Sequence, residues 1–332
     1  MRAAVIDYCV RLAMDPLLVQ GSGGNVSWKE AGKLWIKASG LDLADAARQP
    51  IFVPVDLRHL QDVLARGDFT AAPRVLADTS LRPSIETLLH GLMPYPLVVH
   101  LHPVEILAHL VRRDADDILR SRLSPALRWA SLAYVKPGAA LAQALAAALA
   151  RQPLADVIFM HNHGVVIGAA SVADVAEILA TLLHALATAP RGSATAIRAE
   201  FSQAAARGYR RVDDPGINQL ALDPWLFARL TDAWALYPEQ VVFLGPAAVA
   251  CERLADLPAP GAAIAGAPPV FVRGAGVYVP PGFGVARLAM LRCYREVLSR
   301  QTDISAIRTL SAAEVAELVD WDAEKYRASM VH

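Results

Sequence analysis

The sequence predicts an α/β fold in which helices pack in layers against a sheet. Strand-like and helix-like segments alternate along the chain, which is the pattern of layered α/β proteins. Apolar residues make up 55% of the 332 residues, enough for a sizeable buried core. No internal repeat is visible, so the sequence does not indicate a solenoid.

The N-terminal third begins with an amphipathic helix, MRAAVIDYCVRLAMD, followed by the glycine-rich turn GSGGNVSW. The alternating segments KLWIKAS and IFVPVDL predict strands, and LRHLQDVLARG predicts a helix that ends at Gly67. Pro83 and Ser84 predict the start of the next helix, which continues through His90, because proline is tolerated in a first helical turn.

The middle of the chain continues the alternation. A short apolar strand runs from Leu97 to His102, and VEILAHLV predicts a helix after it. An alanine-rich helix over 139–150 precedes two strands, DVIFM and GVVIGAA. The segment SVADVAEILATLLHAL has helical spacing, with Ser171 and Asp174 as its N-terminal cap.

Composition changes after this helix. Residues 190–216 are polar and basic, and residues 255–269 are rich in Pro, Ala and Gly, as in a loop or linker. We therefore predict a catalytic domain over residues 1–210 and a smaller α/β extension over residues 211–332.

Charge and cysteine usage exclude some classes of function. Lys plus Arg and Asp plus Glu balance at 32 each, which gives no electrostatic support for a nucleic-acid or membrane-surface partner. Cys9, Cys251 and Cys293 lie far apart, as in a reduced protein without a disulfide framework. The N-terminal helix is too polar for a signal peptide and no apolar run could span a membrane, so we expect a cytoplasmic protein.

The segment VVHLHP places two histidines on one strand. Side chains two residues apart point to the same face of a strand, so His100 and His102 present their imidazoles side by side. Their apolar neighbours indicate that the strand is buried, and buried imidazoles have to be hydrogen-bonded, charged or metal-bound. The pair is compatible with a metal site and with two hydrogen-bonded core histidines.

A second pair, His161 and His163, follows the strand DVIFM where the chain turns. Catalytic zinc takes three protein ligands and keeps one position open, and a strand pair plus a distant turn would meet that need. Asn162 and Gly164 would also form a tight turn without any metal. Spacing alone does not decide between the two interpretations.

Glu86 lies near the start of the predicted helix in RPSIETLLH, where the helix dipole favours an anion. His90 follows one turn later, so the two side chains could simply pair. The functional interpretation is a carboxylate beside a metal that moves a proton to or from carbon.

The turn GSGGNVS is a weak indication of an anion site. Its glycines let backbone N–H groups approach a small anion, and Asn25 and Ser27 add side-chain donors. Glycine-rich turns are common, however, and this one lacks the lysine pattern of a P-loop.

In this order, GGNVS, an ASG turn, PS-x-E, HxH and HG-x-x-x-G resemble the class II aldolase/adducin family over about residues 5–190. The segments RPSIETLLH, YPEQVVFLGP, PGFG and WDAEKYR resemble the aldolase half of bifunctional aldolase/short-chain dehydrogenase proteins. No GxGxxG follows a strand, so we expect the dehydrogenase half to be absent.

The resemblance implies a three-layer α/β/α fold with a smaller C-terminal α/β appendage, assembled as a homotetramer with sites between subunits. It assigns zinc, or another divalent metal, to His100, His102 and His163, because the third ligand precedes the glycine. It gives Glu86 the acid–base role. Tyr134, in AYVKPG, is the closest match to a tyrosine that acts as an acid from a neighbouring subunit.

The resemblance also implies a set of residues that cradle a substrate phosphate: Gly24, Asn25, Ser39, Gly40 and Ser84. Phosphate-specific aldolases usually have two hydroxyl residues before the glutamate, whereas Ile85 follows Ser84 here. One lost donor predicts a weakly held phosphate, or a substrate with a carboxylate or neutral group at that end. Alternatively, Ile85 points into the core and the helix N-terminus alone holds the anion.

The predicted function is therefore that of a zinc-dependent class II aldolase-type lyase. Its substrate would be a small hydroxy-carbonyl molecule, a sugar or sugar phosphate for example, processed through enediolate chemistry. The alternatives are an epimerase or dehydratase of the same fold, or a non-catalytic adducin-like binding module. Such modules lack the metal histidines that this chain keeps.

Overall fold

The computed structural model describes residues 1–192, 208–258 and 267–319. These residues form two compact units, the first over residues 1–187 and the second from residue 188 onward. The expected α/β fold with a smaller C-terminal α/β part is confirmed. The domain boundary between residues 210 and 211 remains a prediction, and the segment WDAEKYR lies outside the described residues.

The first unit is built around a seven-stranded sheet in the order β3-β2-β1-β4-β7-β6-β5. Neighbouring strands are antiparallel, except that β5 and β6 are parallel. The strands are β1 (Asn25–Glu30), β2 (Lys33–Lys37), β3 (Phe52–Asp56), β4 (Leu97–Leu101), β5 (Trp129–Leu132), β6 (Val157–Met160) and β7 (Gly164–Ala169). The helices are α1 (Arg2–Ala13), α2 (Leu57–Ala65), α3 (Thr87–Leu92), α4 (Val104–Leu110), α5 (Ala115–Arg122), α6 (Ala139–Arg151) and α7 (Val172–Leu186), with a short 3₁₀ helix at Leu43–Ala47.

Apolar side chains cover both faces of this sheet, which makes the three layers expected for the fold. One core joins the sheet to α1, α4 and α7, for example through Cys9, Leu110 and Leu179. The other face packs on α2, α3 and α6. Along β4 the side chains alternate between the two cores, since Val99 belongs to the first and Val98 to the second. His100 has the same parity as Val98 and therefore faces α3.

Helix α3 begins later than the sequence predicts. Pro83 forms an isolated β-bridge with Ala38, and the Ser84 amide donates to the Lys37 carbonyl at 3.2 Å. These backbone contacts keep the segment before Glu86 out of the helix, so Glu86 is the N-cap and not a first-turn residue. The predicted cap of α7 is confirmed, because the Ser171 hydroxyl accepts from the Asp174 amide at 3.2 Å.

The second unit contains a four-stranded sheet in the order β8-β11-β10-β9. Its strands are β8 (Arg210–Arg211), β9 (Val249–Cys251), β10 (Val270–Val272) and β11 (Gly276–Val279). Its helices are α8 (Pro215–Leu222), α9 (Pro224–Phe227), α10 (Pro238–Leu244), α11 (Val285–Ser299) and α12 (Ala312–Val319), with 3₁₀ turns at Leu254–Asp256 and Ile304–Ala306. In the part of the chain that is described, every helix is too short or too polar to cross a membrane.

Candidate metal centre

Strand β4 and its continuation bring the first two predicted ligands together. His100 pairs in register with Asn25 of β1 and with Val166 of β7, so it lies in the middle of the sheet. His102 follows β4 by one residue. The Nε2 atoms of His100 and His102 lie 3.0 Å apart, and both side chains are almost fully buried.

A second contact fixes the orientation of the His100 ring. Its Nδ1 lies 3.0 Å from the Val165 carbonyl oxygen, which can only accept a hydrogen bond. In the neutral ring Nδ1–H donates to this carbonyl, and Nε2 then presents a lone pair toward His102. Two nitrogens this close need a proton or a cation between them, because facing lone pairs repel.

The third histidine comes from the turn between β6 and β7. Asn162 has a positive φ of 52°, and the His163 amide donates to the Met160 carbonyl at 3.1 Å. Gly164 then allows a close approach to β4, since a Cβ there would lie 2.4 Å from the Leu101 carbonyl oxygen. The turn carries His163 to the strand pair, and the ligand atoms of all three histidines lie within 4.8 Å of one another.

The same turn sends His161 elsewhere. Its Nε2 lies 2.9 Å from Asp116 Oδ1 on α5, and the ring is partly exposed. The sequence pattern alone left both histidines of this turn open as ligands, and the fold brings only His163 into the cluster.

Glu86 contacts two of the three imidazoles. Its Oε1 lies 3.3 Å from His163 Nε2, and its Oε2 lies 3.5 Å from His100 Nε2. The Asn25 side-chain amide donates to Oε2 at 2.7 Å, which holds the carboxylate in place. Burial alone would raise the pKa of the Glu86 carboxyl, but the neighbouring histidines outweigh it and hold that pKa well below its ordinary value. Glu86 is therefore ionised.

Glu86 and His90 do not form the simple pair that their spacing allows. His90 Nδ1 instead lies 2.8 Å from the Ser27 hydroxyl, and both residues are fully buried. Burial lowers the pKa of His90 to about 3, so this imidazole is neutral near pH 7. The Ser27 hydroxyl, expected as an anion donor, is engaged with it.

The donor set suits a divalent metal ion. Nitrogen ligands at about 2.0–2.1 Å from a tetrahedral zinc lie roughly 3.3–3.4 Å apart, close to the 3.0 Å between His100 and His102 Nε2. The Val165 carbonyl fixes the His100 ring in the manner of an outer-shell partner. Three converging imidazoles beside one ionised carboxylate are a chemically suitable zinc site.

The predicted phosphate residues lie on two turns and on the loop before α3. Gly24 and Gly40 both have positive φ, 70° and 80°, which glycine adopts without strain. Several expected donors already have partners. The Asn25 amide bonds to Glu86, and the Ser39 amide donates to the Arg82 carbonyl at 2.9 Å.

Ser84 and Ile85 complete this set. The Ser84 hydroxyl oxygen accepts from the Glu86 amide at 3.2 Å, so it helps to form the turn that precedes α3. Ile85 is half-buried. It is thus not a core residue, and it offers no donor in place of the missing hydroxyl.

Tyr134 lies in the loop between β5 and α6, and its hydroxyl oxygen is buried. Strand β5 ends beside the end of β6, as the pairing of Leu132 with Met160 shows. Tyr134 is expected to act as an acid in the site of a neighbouring subunit. That role stays a prediction.

Sequence reasoning missed one buried cation. Lys37, the last residue of β2, is 1% exposed, and its ammonium donates to backbone carbonyls of both glycine-containing turns. The signal in the sequence was a lysine at the end of the strand KLWIK, directly before the ASG turn.

Comparison with known proteins identifies the family. Residues 3–189, more than half of the chain, match the family described as the class II aldolase and adducin N-terminal domain. The uncharacterized oxidoreductase YuxG of Bacillus subtilis (strain 168) is 29% identical over 171 residues, which are 47% of this chain and 24% of that protein. The chain thus spans about a quarter of that relative's length.

Solved structures of the same kind are similar at lower identity. The N-terminal class II aldolase domain of a conserved protein from Thermoplasma acidophilum has 22% identity and a TM-score of 0.46, covering 55% of this chain and 90% of its own. The l-fuculose-1-phosphate aldolase from Thermus thermophilus has 19% identity and a TM-score of 0.37, covering 56% of this chain and 93% of its own. On the match over residues 3–189, the chain belongs to the class II aldolase and adducin family.

Proposed function

We propose that this chain is a zinc-dependent aldolase-type lyase that acts on a small hydroxy-carbonyl substrate. The observation that carries the proposal is the convergence of three buried imidazoles, with ligand atoms within 4.8 Å, on the Glu86 carboxylate. Membership of the class II aldolase and adducin family supports the same chemistry.

His100, His102 and His163 would hold zinc, or a similar divalent ion, and leave a coordination position for substrate. Bound there, the ion would act as a Lewis acid that polarises the substrate carbonyl and stabilises the enediolate charge. The Val165 carbonyl keeps the His100 ring turned toward the cluster, so this ligand would be oriented before any ion binds.

Glu86 would move the proton on carbon. In the direction of condensation, its carboxylate takes a proton from the carbon next to the carbonyl, and the electron pair left behind attacks the aldehyde. The aldehyde oxygen then takes a proton, for which Tyr134 is our proposed donor. In cleavage the same transfers run backward. Asn25 engages Oε2, so Oε1 is the oxygen placed to exchange the proton.

Two features argue against a binding module as the second class of function. A module has no need of three converging buried imidazoles, nor of an ionised carboxylate held against them by Asn25. Epimerisation and dehydration would use the same groups, so the reaction assay has to separate them. The assembly we propose is a cytoplasmic homotetramer with small-molecule partners and without nucleic-acid or membrane partners.

The test is an aldol-cleavage screen on zinc-loaded protein, with paired phosphorylated and unphosphorylated hydroxy-carbonyl substrates. Aldehyde release would be followed by coupled reduction, and carbon-bound proton exchange by mass spectrometry in deuterated water. We expect aldehyde release that stops on chelation and returns with zinc. Exchange without cleavage would point to an epimerase, and neither exchange nor cleavage would favour a binding module.

A further inference from the structure

Lys37 places a positive charge in the interior of the first unit. The side chain is 1% exposed, and Nζ donates to the carbonyls of Ser22 at 3.1 Å, Ala38 at 3.3 Å and Leu41 at 2.5 Å. Burying an ammonium group is costly unless polar partners replace its water, and these carbonyls do so. The mechanism proposed above does not use the Lys37 ammonium group.

The three carbonyls belong to two separate stretches of chain. Ser22 lies in the turn before β1, whereas Ala38 and Leu41 flank the turn after β2. One ammonium group therefore ties both turns together. Backbone hydrogen bonds also hold each turn. In the first turn the Gly23 amide donates to the Gln20 carbonyl at 3.0 Å, and in the second the Ser39 amide donates to the Arg82 carbonyl of a neighbouring segment.

Both turns keep polar groups that the described chain does not satisfy. The Ser22 hydroxyl is buried, in a residue only 3% exposed, and has no hydrogen-bond partner among the described residues. The Gly40 amide likewise donates to no backbone carbonyl in that part of the chain. A buried hydroxyl without a partner indicates a group from outside the chain, either ordered water or a ligand.

The charge of Lys37 acts on its surroundings. Burial raises the pKa of the Cys9 thiol, on α1, and of the Asp42 carboxyl, just after the second turn. The positive charge of Lys37 lowers both pKa values and so opposes this rise. A field felt by groups on both sides would also act on an anion at the turns themselves, because the interior screens charge weakly.

We propose that Lys37 is a positioning residue for the anionic end of the substrate. It holds the two turns together and places positive charge behind the donors they present, including the Ser22 hydroxyl and the Gly40 amide. The proposal rests on the proposed function for where the substrate lies. It also accounts for how this end of the site could take a phosphate or carboxylate although Ile85 replaces a hydroxyl residue.

Anion binding without turnover tests the proposal. Inorganic phosphate and, in a separate arm, acetate would be titrated calorimetrically into metal-stripped protein at constant ionic strength. The variants are Lys37→Gln, which keeps N–H donors without the charge, and Ser22→Ala. Lys33→Gln is the matched control, since Lys33 lies on the same strand with its ammonium 5.9 Å from the centre of the Trp35 ring.

We expect Lys37→Gln to weaken binding of the preferred anion by about tenfold or more, as expected for loss of a nearby charge. Ser22→Ala should weaken it by several-fold, and Lys33→Gln should leave it unchanged. The arm with the tighter wild-type binding identifies phosphate or carboxylate as the end group. Absence of binding by both anions, or unchanged affinity in Lys37→Gln, would overturn the proposal.

Two further arrangements keep this test decisive. If Lys37→Gln does not fold, Ser22→Ala carries the test alone, and unchanged affinity in that variant overturns the proposal. The titrations do not depend on the reaction. Lys37-dependent anion binding in a protein that cleaves no substrate would retain this inference and reject the lyase. Cleavage without Lys37-dependent anion binding would retain the lyase and reject this inference.

Discussion

The described part of the first unit contains five buried histidines in two different settings. His90 and His109 each bond to a neutral partner, the Ser27 hydroxyl at 2.8 Å and the Leu186 carbonyl at 2.9 Å. The other three, His100, His102 and His163, face one another and Glu86.

All five rings are buried, so burial does not distinguish the two settings. They differ in the groups that contact the imidazole nitrogens. At His90 and His109 the hydroxyl or carbonyl is the partner of one ring nitrogen, and neither residue belongs to the group of converging ligand atoms. The other three imidazoles converge on one point beside a carboxylate, and that arrangement suits a cation. Their mutual contacts, and not burial alone, make His100, His102 and His163 the candidate functional group.

Substituting one histidine from each set should give the largest contrast. His102→Ala removes one of three ligands, and we expect metal content to fall from about one ion per chain to near zero. His109→Ala removes a buried ring of the other set and should lower stability while the metal stays. Plasma mass spectrometry after dialysis measures both. Full metal retention in His102→Ala would show that the cluster is not the metal site.

Glu86→Gln tests whether the carboxylate in the cluster does chemistry. An amide cannot take the proton from carbon, so turnover should fall by about 100- to 10,000-fold while metal content and fold are kept. Steady-state rates on the best substrate of the cleavage screen measure this loss. Glu105→Gln, on α4, is the control and should turn over at the wild-type rate. Undiminished turnover in Glu86→Gln would return Glu86 to a structural role.

The strand pair shows how far sequence alone reaches. His100 and His102 could be placed together because the two-residue period of a strand is local and its apolar neighbours indicate burial. His163 could not be separated from His161 by spacing, since the choice depends on the positive φ of Asn162 and on the approach of β7 to β4 through Gly164. The family resemblance selected His163, where residue spacing did not.

Contacts between distant segments account for the remaining differences. The spacing of Glu86 and His90 indicated a helical pair, but the bridge of Pro83 with Ala38 delays the helix and leaves Glu86 as its N-cap. The Asn25 side chain, whose expected contact with a phosphate stays a prediction, also holds Glu86, 61 residues away in sequence. The carbonyls around Lys37 follow from turn geometry that no periodic pattern encodes.

His90 should make the stability of the folded chain depend on pH. Burial lowers its pKa from 6.5 to about 3, so in this window the unfolded chain binds a proton that the native chain does not. Native stability is therefore lost as pH falls from 6.5 toward 3, by up to ~1.4 kcal/mol per pH unit.

Replacing His90 tests whether this residue causes the predicted loss of stability at low pH. The slope of unfolding free energy against pH below 6.5 should be shallower in His90→Gln, as measured by urea unfolding. His184→Gln, at an exposed histidine on α7, should keep the wild-type slope. An unchanged slope in His90→Gln would mean that His90 is already charged in the native protein.

The smallest effect is expected at the histidine that the turn directs away from the cluster. His161→Gln removes a partly exposed contact with Asp116, which should cost about 1 kcal/mol or less. Metal content and turnover should stay at wild-type levels. Loss of the metal in this variant would mean that His161 is a ligand, contrary to its place in the fold.

The central claim is that three imidazoles hold one divalent ion, and X-ray absorption at the zinc edge of zinc-loaded wild-type protein tests it most directly. The account predicts one zinc per chain with three imidazole nitrogens at about 2.0–2.1 Å and lighter oxygen ligands in the remaining positions. A spectrum with fewer than three imidazoles, or with sulfur at about 2.3 Å, would contradict it.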